Sequence, residues 1–201
     1  MTEQKTQAIT QLPGFSSGTL IQTAQGLLPA SKVEVGMGLC LPGGGCATVM
    51  WRQVCKPPPP SGYAQGVRIC KDAFAPGSPS ADLLVSAHQR VVVADMRQAA
   101  PGQVPQTMLV PAAALLGRPG IRLASGQKAR AWVDLACSGH HLLEVQGCLT
   151  ETLLADRRAQ RRLPAVEWLR LIACFTPWGS LDVALNGPPA NPRRSLPGRM
   201  A

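Results

Sequence analysis

The spacing of turn residues constrains this chain more than any other feature. Its 20 glycines and 19 prolines are scattered through 201 residues and stop almost every apolar run after a few positions. Runs that short build strands more readily than helices, because a strand needs few residues and a helix needs several turns of periodic pattern. The stretch 19–23 (TLIQT) alternates and then meets the turn 24–26. The segment 32–41 is apolar with Gly36 and Gly38 inside it, the pattern of a bent strand. PGGG at 42–45 is a turn, and 47–55 (ATVMWRQVC) reads as another strand. PPPPSG at 57–62 gives a stiff extended connector. A short strand follows at 66–70. The run 82–95 then carries the strongest β signal, centred on Val91, Val92 and Val93. The segment 108–117 begins as a strand and shifts into a short helical turn. The pieces 129–137 and 141–147 are expected to form a hairpin around Ser138 and Gly139.

The pattern changes after Gly147. In 150–162, Thr150 is expected to cap a run of good helix formers. Pro164 ends that run. The stretch 165–175 has helical spacing, with Val166, Leu169, Ile172 and Ala173 expected on one side. The chain is therefore expected to be all-β with a short α-helical C-terminal extension. Residues 1–12 are expected to be a flexible N-terminus, 13–154 the β domain, 155–180 the helical extension and 181–201 a Pro/Arg-rich disordered tail.

Charge divides along the same line. The chain carries a formal +9. Residues 1–154 hold 12 Lys+Arg against 8 Asp+Glu, and residues 155–201 hold 8 Arg against 3 acids. An Arg-rich tail of this kind is usually a solvated end, and an anionic partner is the sharper alternative. The seven cysteines include no CxxC pair and no accompanying His cluster, so a zinc site is not expected. Nothing resembles a P-loop, a GxSxG elbow or a metal-binding helix, and no cofactor is expected. No apolar h-region opens the chain, and no run approaches a membrane span. The default expectation is a cytoplasmic protein with reduced thiols acting as small core residues. Export by a signal elsewhere, or by a non-classical route, is the alternative.

Three stretches in fixed order resemble the bacterial Hint domains, relatives of Hedgehog C-terminal domains and inteins. The first, GFSSGTLIQTAQGLLPASKVEVG at 14–36, resembles the family's opening, in which a nucleophile precedes an aromatic, a small-residue pair and GT. The second, GVRICKDAFAPGSPSADLLVSAHQRVVV at 66–93, is similar to the central block with its Ser-x-x-His-Arg element. The third, WVDLACSGHHLLEVQGCLTETLL at 132–154, resembles the closing segment with a turn His and a Gly-x-x-x-Glu. LVPAAALLG at 109–117 fits the connecting strand. The resemblance implies a flattened horseshoe of short strands, with pseudo-twofold hairpins and the two ends of the domain meeting at a reaction centre.

It also implies a chemistry. In such domains a Cys or Ser at the first position attacks the carbonyl of the preceding residue. The peptide becomes a thioester or ester, which a second nucleophile resolves. A central-block His assists as general acid and orienting group. Here the nucleophile's position is Gly14, which has no side chain to carry an acyl group. The His position is Gln89, with His88 one residue early. If that segment is a strand, His88 points to the opposite face. His140 falls on the turn His, with His141 beside it, and Glu151 falls on the closing acid. Glu151 also suits an early helical position near Thr150.

Two readings follow. In the leading one the chain is a degenerate Hint domain without self-cleavage, serving a structural or interaction role toward a protein partner. In the alternative it is an active autoprocessing domain with a shifted junction. Ser16 or Ser17 would then perform an N–O acyl shift, assisted by His88 or His140. Ser16 reaches only the Phe15 carbonyl and Ser17 only that of Ser16, since the five-membered intermediate requires adjacency.

Overall fold

A computed structural model describes residues 13–55, 66–95, 106–124 and 131–175. The expected flexible N-terminus at 1–12, the proline connector at 57–62, the first two residues of the piece 129–137, the end of the helical extension at 176–180 and the Pro/Arg-rich tail at 181–201 lie outside the described residues.

Among the described residues the chain forms two antiparallel sheets and two short helices. The strands in chain order are β1 (Phe15–Ser16), β2 (Leu20–Thr23), β3 (Gly26–Pro29), β4 (Gly38–Cys40), β5 (Cys46–Cys55), β6 (Val67–Ile69) and β7 (Leu83–Val85). They continue with β8 (Arg90–Asp95), β9 (Gln106–Pro111), β10 (Ile121–Leu123), β11 (Trp132–Cys137), β12 (Leu142–Val145) and β13 (Cys148–Glu151). The larger sheet runs β10-β6-β7-β1-β11-β5-β4-β2-β3, and the smaller runs β12-β13-β8-β9. Short strands suit this sequence because Gly and Pro end each one. Gly26 at φ +109 turns β2 into β3, a conformation that favours glycine.

One contiguous core lies between the sheets. Phe15, Ile21, Leu39, Val49, Ile69, Leu83, Val85, Val91, Leu135 and Leu143 are all buried in it. Its side chains are almost entirely aliphatic, as the low aromatic content requires, and period-two burial in β2, β6 and β7 delivers them to one face. A second, smaller core holds the helices α1 (Arg157–Arg162) and α2 (Ala165–Ala173) against the β domain. There Trp51 of β5 and Ala136 of β11 meet Leu153, Ala159, Leu163, Trp168 and Leu171.

The all-β architecture with a short helical end is as expected, and the connecting segment 108–117 is a strand followed by a 3-10 turn at Ala112–Leu115. Several local expectations are corrected. The segments 129–137 and 141–147 do not form a hairpin. β11 pairs with β5 and β1, whereas β12 pairs with β13. The hairpin forms instead at Gln146 and Gly147, both at positive φ. The tight Gln-Gly turn keeps Leu143 and Val145 in the core, and the chain around Ser138 and Gly139 crosses between sheets. The run 32–41 is not one bent strand; β4 alone is extended, after a 3-10 turn at Ala30–Lys32. Thr150 is not a helix cap. It sits buried in β13, and Asp156 caps α1, its carboxylate accepting from the N–H groups of Arg158 and Ala159. The face of α2 is rotated from expectation. Trp168 and Leu171 are buried, while Val166 and Leu169 are 60% and 62% exposed. The indole offers the largest apolar surface on the helix, and its burial sets the rotation.

Candidate functional site

The described chain begins where the two ends of the β domain meet. β1 is two residues long and lies in the middle of the larger sheet, paired on one side with β11 and on the other with β7. Phe15, between Val133 and Val85, is 2% exposed. This anchors Gly14 just outside β1. The Gly14 N–H donates to the Ser86 hydroxyl at 3.0 Å, and the Ser86 N–H donates to the Gly14 carbonyl at 2.9 Å. Ser86 follows β7 directly, so it holds Gly14 through the N–H of the peptide before it and the carbonyl of the peptide after it.

Gly14 faces a carboxyl group. A Cβ placed on it would lie 2.3 Å from Oδ1 of Asp134, far inside van der Waals contact. The next nearest atom outside that carboxyl, the Val133 carbonyl oxygen, is at an ordinary 3.5 Å. Asp134 therefore occupies the space a side chain at position 14 would need. It lies in β11, where every residue is buried, and is itself 2% exposed. Burial alone pushes its carboxyl well above the usual carboxylate range, so the neutral acid is favoured.

A second cluster forms around Glu151 at the end of β13. Arg90 grips its carboxylate through both Nε and Nη2, and the His140 ring Nε2 approaches Oε2 at 2.9 Å. Glu151 and the His140 side chain are each 3% exposed. The Nδ1 atom of His140 is buried without a hydrogen-bond partner among the described residues. Gln89, 1% exposed, donates from Nε2 to the Glu151 backbone carbonyl at 2.8 Å. Gln89, Arg90 and His140 thus converge on one residue. Glu151 is an interior strand residue that binds a cation, not an early helical acid.

His88 is placed differently from expectation. The run 82–95 is not continuous: β7 ends at Val85, β8 starts at Arg90, and Ala87 and His88 form a turn between them. Backbone bonds from Gln89 N–H to the Ser86 carbonyl and from Ala113 N–H to the Ala87 carbonyl fix that turn. Strand alternation therefore does not apply to His88. It lines a cleft of about 80 Å³ with Pro13, Arg90, Glu151, Asp156, Arg158 and Arg162. Burial, and then the Arg162 charge, lower its pKa from the ordinary histidine value. His141 is lowered likewise, by burial and then by His140.

Ser16 and Ser17 are bound into the sheet. Ser16 pairs with Trp132, its carbonyl accepts from the Thr19 N–H, and the Ser17 N–H donates to the Ala131 carbonyl. Of the residues singled out by sequence, Gln89, His140 and Glu151 are brought together. His88 shares a cleft with Pro13, Ser16 belongs to the β1 ladder and Ser17 to the turn that follows it. Ser86, Asp134 and Arg90 were missed as site residues. Ser86 and Arg90 stand in the Ser-x-x-His-Arg element without a role being read for them, and Asp134, inside an apolar strand, declares itself only by what it touches. Among the described residues, no group of three or more His, Cys, Asp or Glu side chains is placed to hold a metal ion. No helix there is long and apolar enough to cross a membrane.

Residues 13–157 match the Hint domain family. Among solved structures, the chain is similar to the gp41-1 intein at 14% identity and a TM-score of 0.39. That likeness covers 69% of this chain and 97% of the intein. A triply substituted variant of the same intein matches at 13% identity and a TM-score of 0.38, covering 69% of this chain and 98% of that one. No curated protein matches.

Proposed function

The chain belongs to the Hint domain family, and from that premise we propose that it is a degenerate member, one that keeps the fold, does not cleave itself and serves as a structural or interaction module. One observation carries this reading. At the junction the position of the nucleophile is a glycine, and the space its side chain would fill holds the Asp134 carboxyl. Glycine has no atom that could take the acyl group. The central block departs in the same direction, since Gln89 donates a hydrogen bond but exchanges no proton near neutral pH. Under this reading 13–154 is the Hint body, 155–180 a helical extension and 181–201 a tail.

The alternative, a junction shifted to Ser16 or Ser17, draws its support from His88 beside Pro13 in the cleft. Against it stands the position of the bonds to be broken. The Phe15–Ser16 peptide lies inside β1, flanked by β11 and β7. Attack on the Phe15 carbonyl would have to pull the peptide out of a ladder whose neighbouring side chains form the core.

The test is intact-mass measurement on a fusion with a reporter preceding Pro13. The proposal expects the uncleaved mass, with or without hydroxylamine. Cleavage that disappears in a Ser16→Ala, Ser17→Ala double variant would establish the shifted junction instead.

A further inference from the structure

The seven thiols differ in exposure, and Cys70 and Cys174 are half-buried. Cys55, Cys137 and Cys148 are buried. Burial pushes Cys55 and Cys137 up to about 12, so these two are poor nucleophiles. Cys40 and Cys46 are different. They face each other across β4 and β5 as directly registered partners. Cys46 is exposed and Cys40 half-buried.

The pairing type follows from the backbone. The Leu41 N–H donates to the Gly45 carbonyl and the Val49 N–H to the Met37 carbonyl, so odd-numbered residues of this segment point their polar groups at β5. The Gly38 carbonyl instead accepts from the Ala24 N–H, on the side of β2. Since the two kinds of site alternate along an antiparallel pair, Cys40 and Cys46 form a non-hydrogen-bonded pair, whose Cα atoms typically lie about 4.5 Å apart with side chains close. That lies within the range spanned by disulfides, at its short end. Gly38 is on the same face, and a Cβ there would come within 3.1 Å of the Cys46 Cβ. The absence of that Cβ leaves the Cys46 sulfur free to change rotamer toward Cys40.

We propose that Cys40 and Cys46 are a reversible oxidation site, forming a cross-strand disulfide when a hydroperoxide reaches the tip of the β4–β5 hairpin. The exposed Cys46 thiolate attacks the peroxide oxygen and the O–O bond breaks. The alcohol or water leaves, and Cys46 becomes a sulfenic acid. The Cys40 thiolate then attacks the Cys46 sulfur, the S–S bond forms and water departs. The two thiols supply the two electrons that reduce the peroxide. Partial burial, and then the hydrogen bond and charge of Cys46, raise the Cys40 thiol, which disfavours it as the first to meet the peroxide. Cys46 is exposed, so the bond is open to reductants and the disulfide is labile rather than structural.

The test treats the full-length chain with stoichiometric hydrogen peroxide, blocks free thiols with an alkylating agent and digests with trypsin. Both cysteines fall in one peptide, 33–52, between Lys32 and Arg52. The expected result is that this peptide becomes unlabelled and lighter by two hydrogens, while Cys55, Cys137 and Cys148 stay reduced. Dithiothreitol should restore both labels, and Cys40→Ser should leave Cys46 as a sulfenic acid trapped by dimedone. Double labelling of 33–52 after peroxide, or oxidation of Cys46 beyond the sulfenic state with Cys40 still labelled, would overturn the proposal.

Discussion

A carboxyl group buried with no opposing charge destabilises the fold that holds it, and Asp134, beside Gly14, faces no such charge among the described residues. Its folded-state pKa is raised from the ordinary 3.8 by burial. The unfolded chain therefore releases the proton at lower pH than the folded one. The neutral acid's contribution is fully present below pH 3.8 and is lost as pH rises through the folded value. Asp134→Asn should consequently raise the unfolding free energy at pH 7, by on the order of 1 kcal/mol or more, and give no such gain near pH 3.5. Denaturant melts at the two pH values would check this, and a gain independent of pH would contradict it. The contact between Asp134 and position 14 makes a second prediction. Gly14→Ala should cost about 1–3 kcal/mol by overpacking. In an Asp134→Ala background most of that cost should vanish, because the colliding oxygen sits on that side chain. A double-mutant cycle measures the coupling directly, and additive effects would mean the carboxyl turns aside freely. At this scale the sequence displayed a glycine and a glutamine where the family resemblance expects a nucleophile and a His, because those are identities at fixed places in a pattern. It could not display Ser86 or Asp134 as site residues, since their roles depend on strands distant in the chain meeting at β1.

Elements were legible where local chemistry decides them and obscure where tertiary contacts do. The turns at 24–26 and 42–45 and the strand-to-turn change at 108–117 follow from Gly and Pro. The junction of β7 and β8 did not announce itself, because SAHQ has no Gly or Pro and its turn is held by backbone bonds from Gln89 and Ala113. The supposed hairpin at Ser138 failed for a similar reason: β11 finds a better partner in β5, which offers pairings from Trp132 to Cys137 across a bulge. In the helical extension, α2 packs through Trp168 and Leu171. Trp168→Ala should thus cost about 3–5 kcal/mol. Val166→Ser or Leu169→Ser should change stability by less than about 0.5 kcal/mol, because both side chains are exposed. Thermal melts of the three variants would separate the two faces. A large loss at Leu169 would mean that something covers it in solution.

Over the whole molecule, the larger sheet brings the start of the Hint body beside its end. β1 lies against β11, and the Leu153 N–H donates to the Leu135 carbonyl just beyond. The sequence foretold that closure only through its family resemblance. Pattern alone gave many short strands and said nothing about which would be neighbours. The closure is what a self-cleaving domain uses to position a scissile bond, and here it positions Pro13, Gly14 and a buried acid. Whether that preserved frame still performs chemistry is decided by mass spectrometry on a reporter fused ahead of Pro13 in the otherwise intact chain, incubated with hydroxylamine at neutral pH. The account predicts a single species at the full mass of the fusion after prolonged incubation. Release of the reporter with a hydroxamate at Pro13 would contradict it.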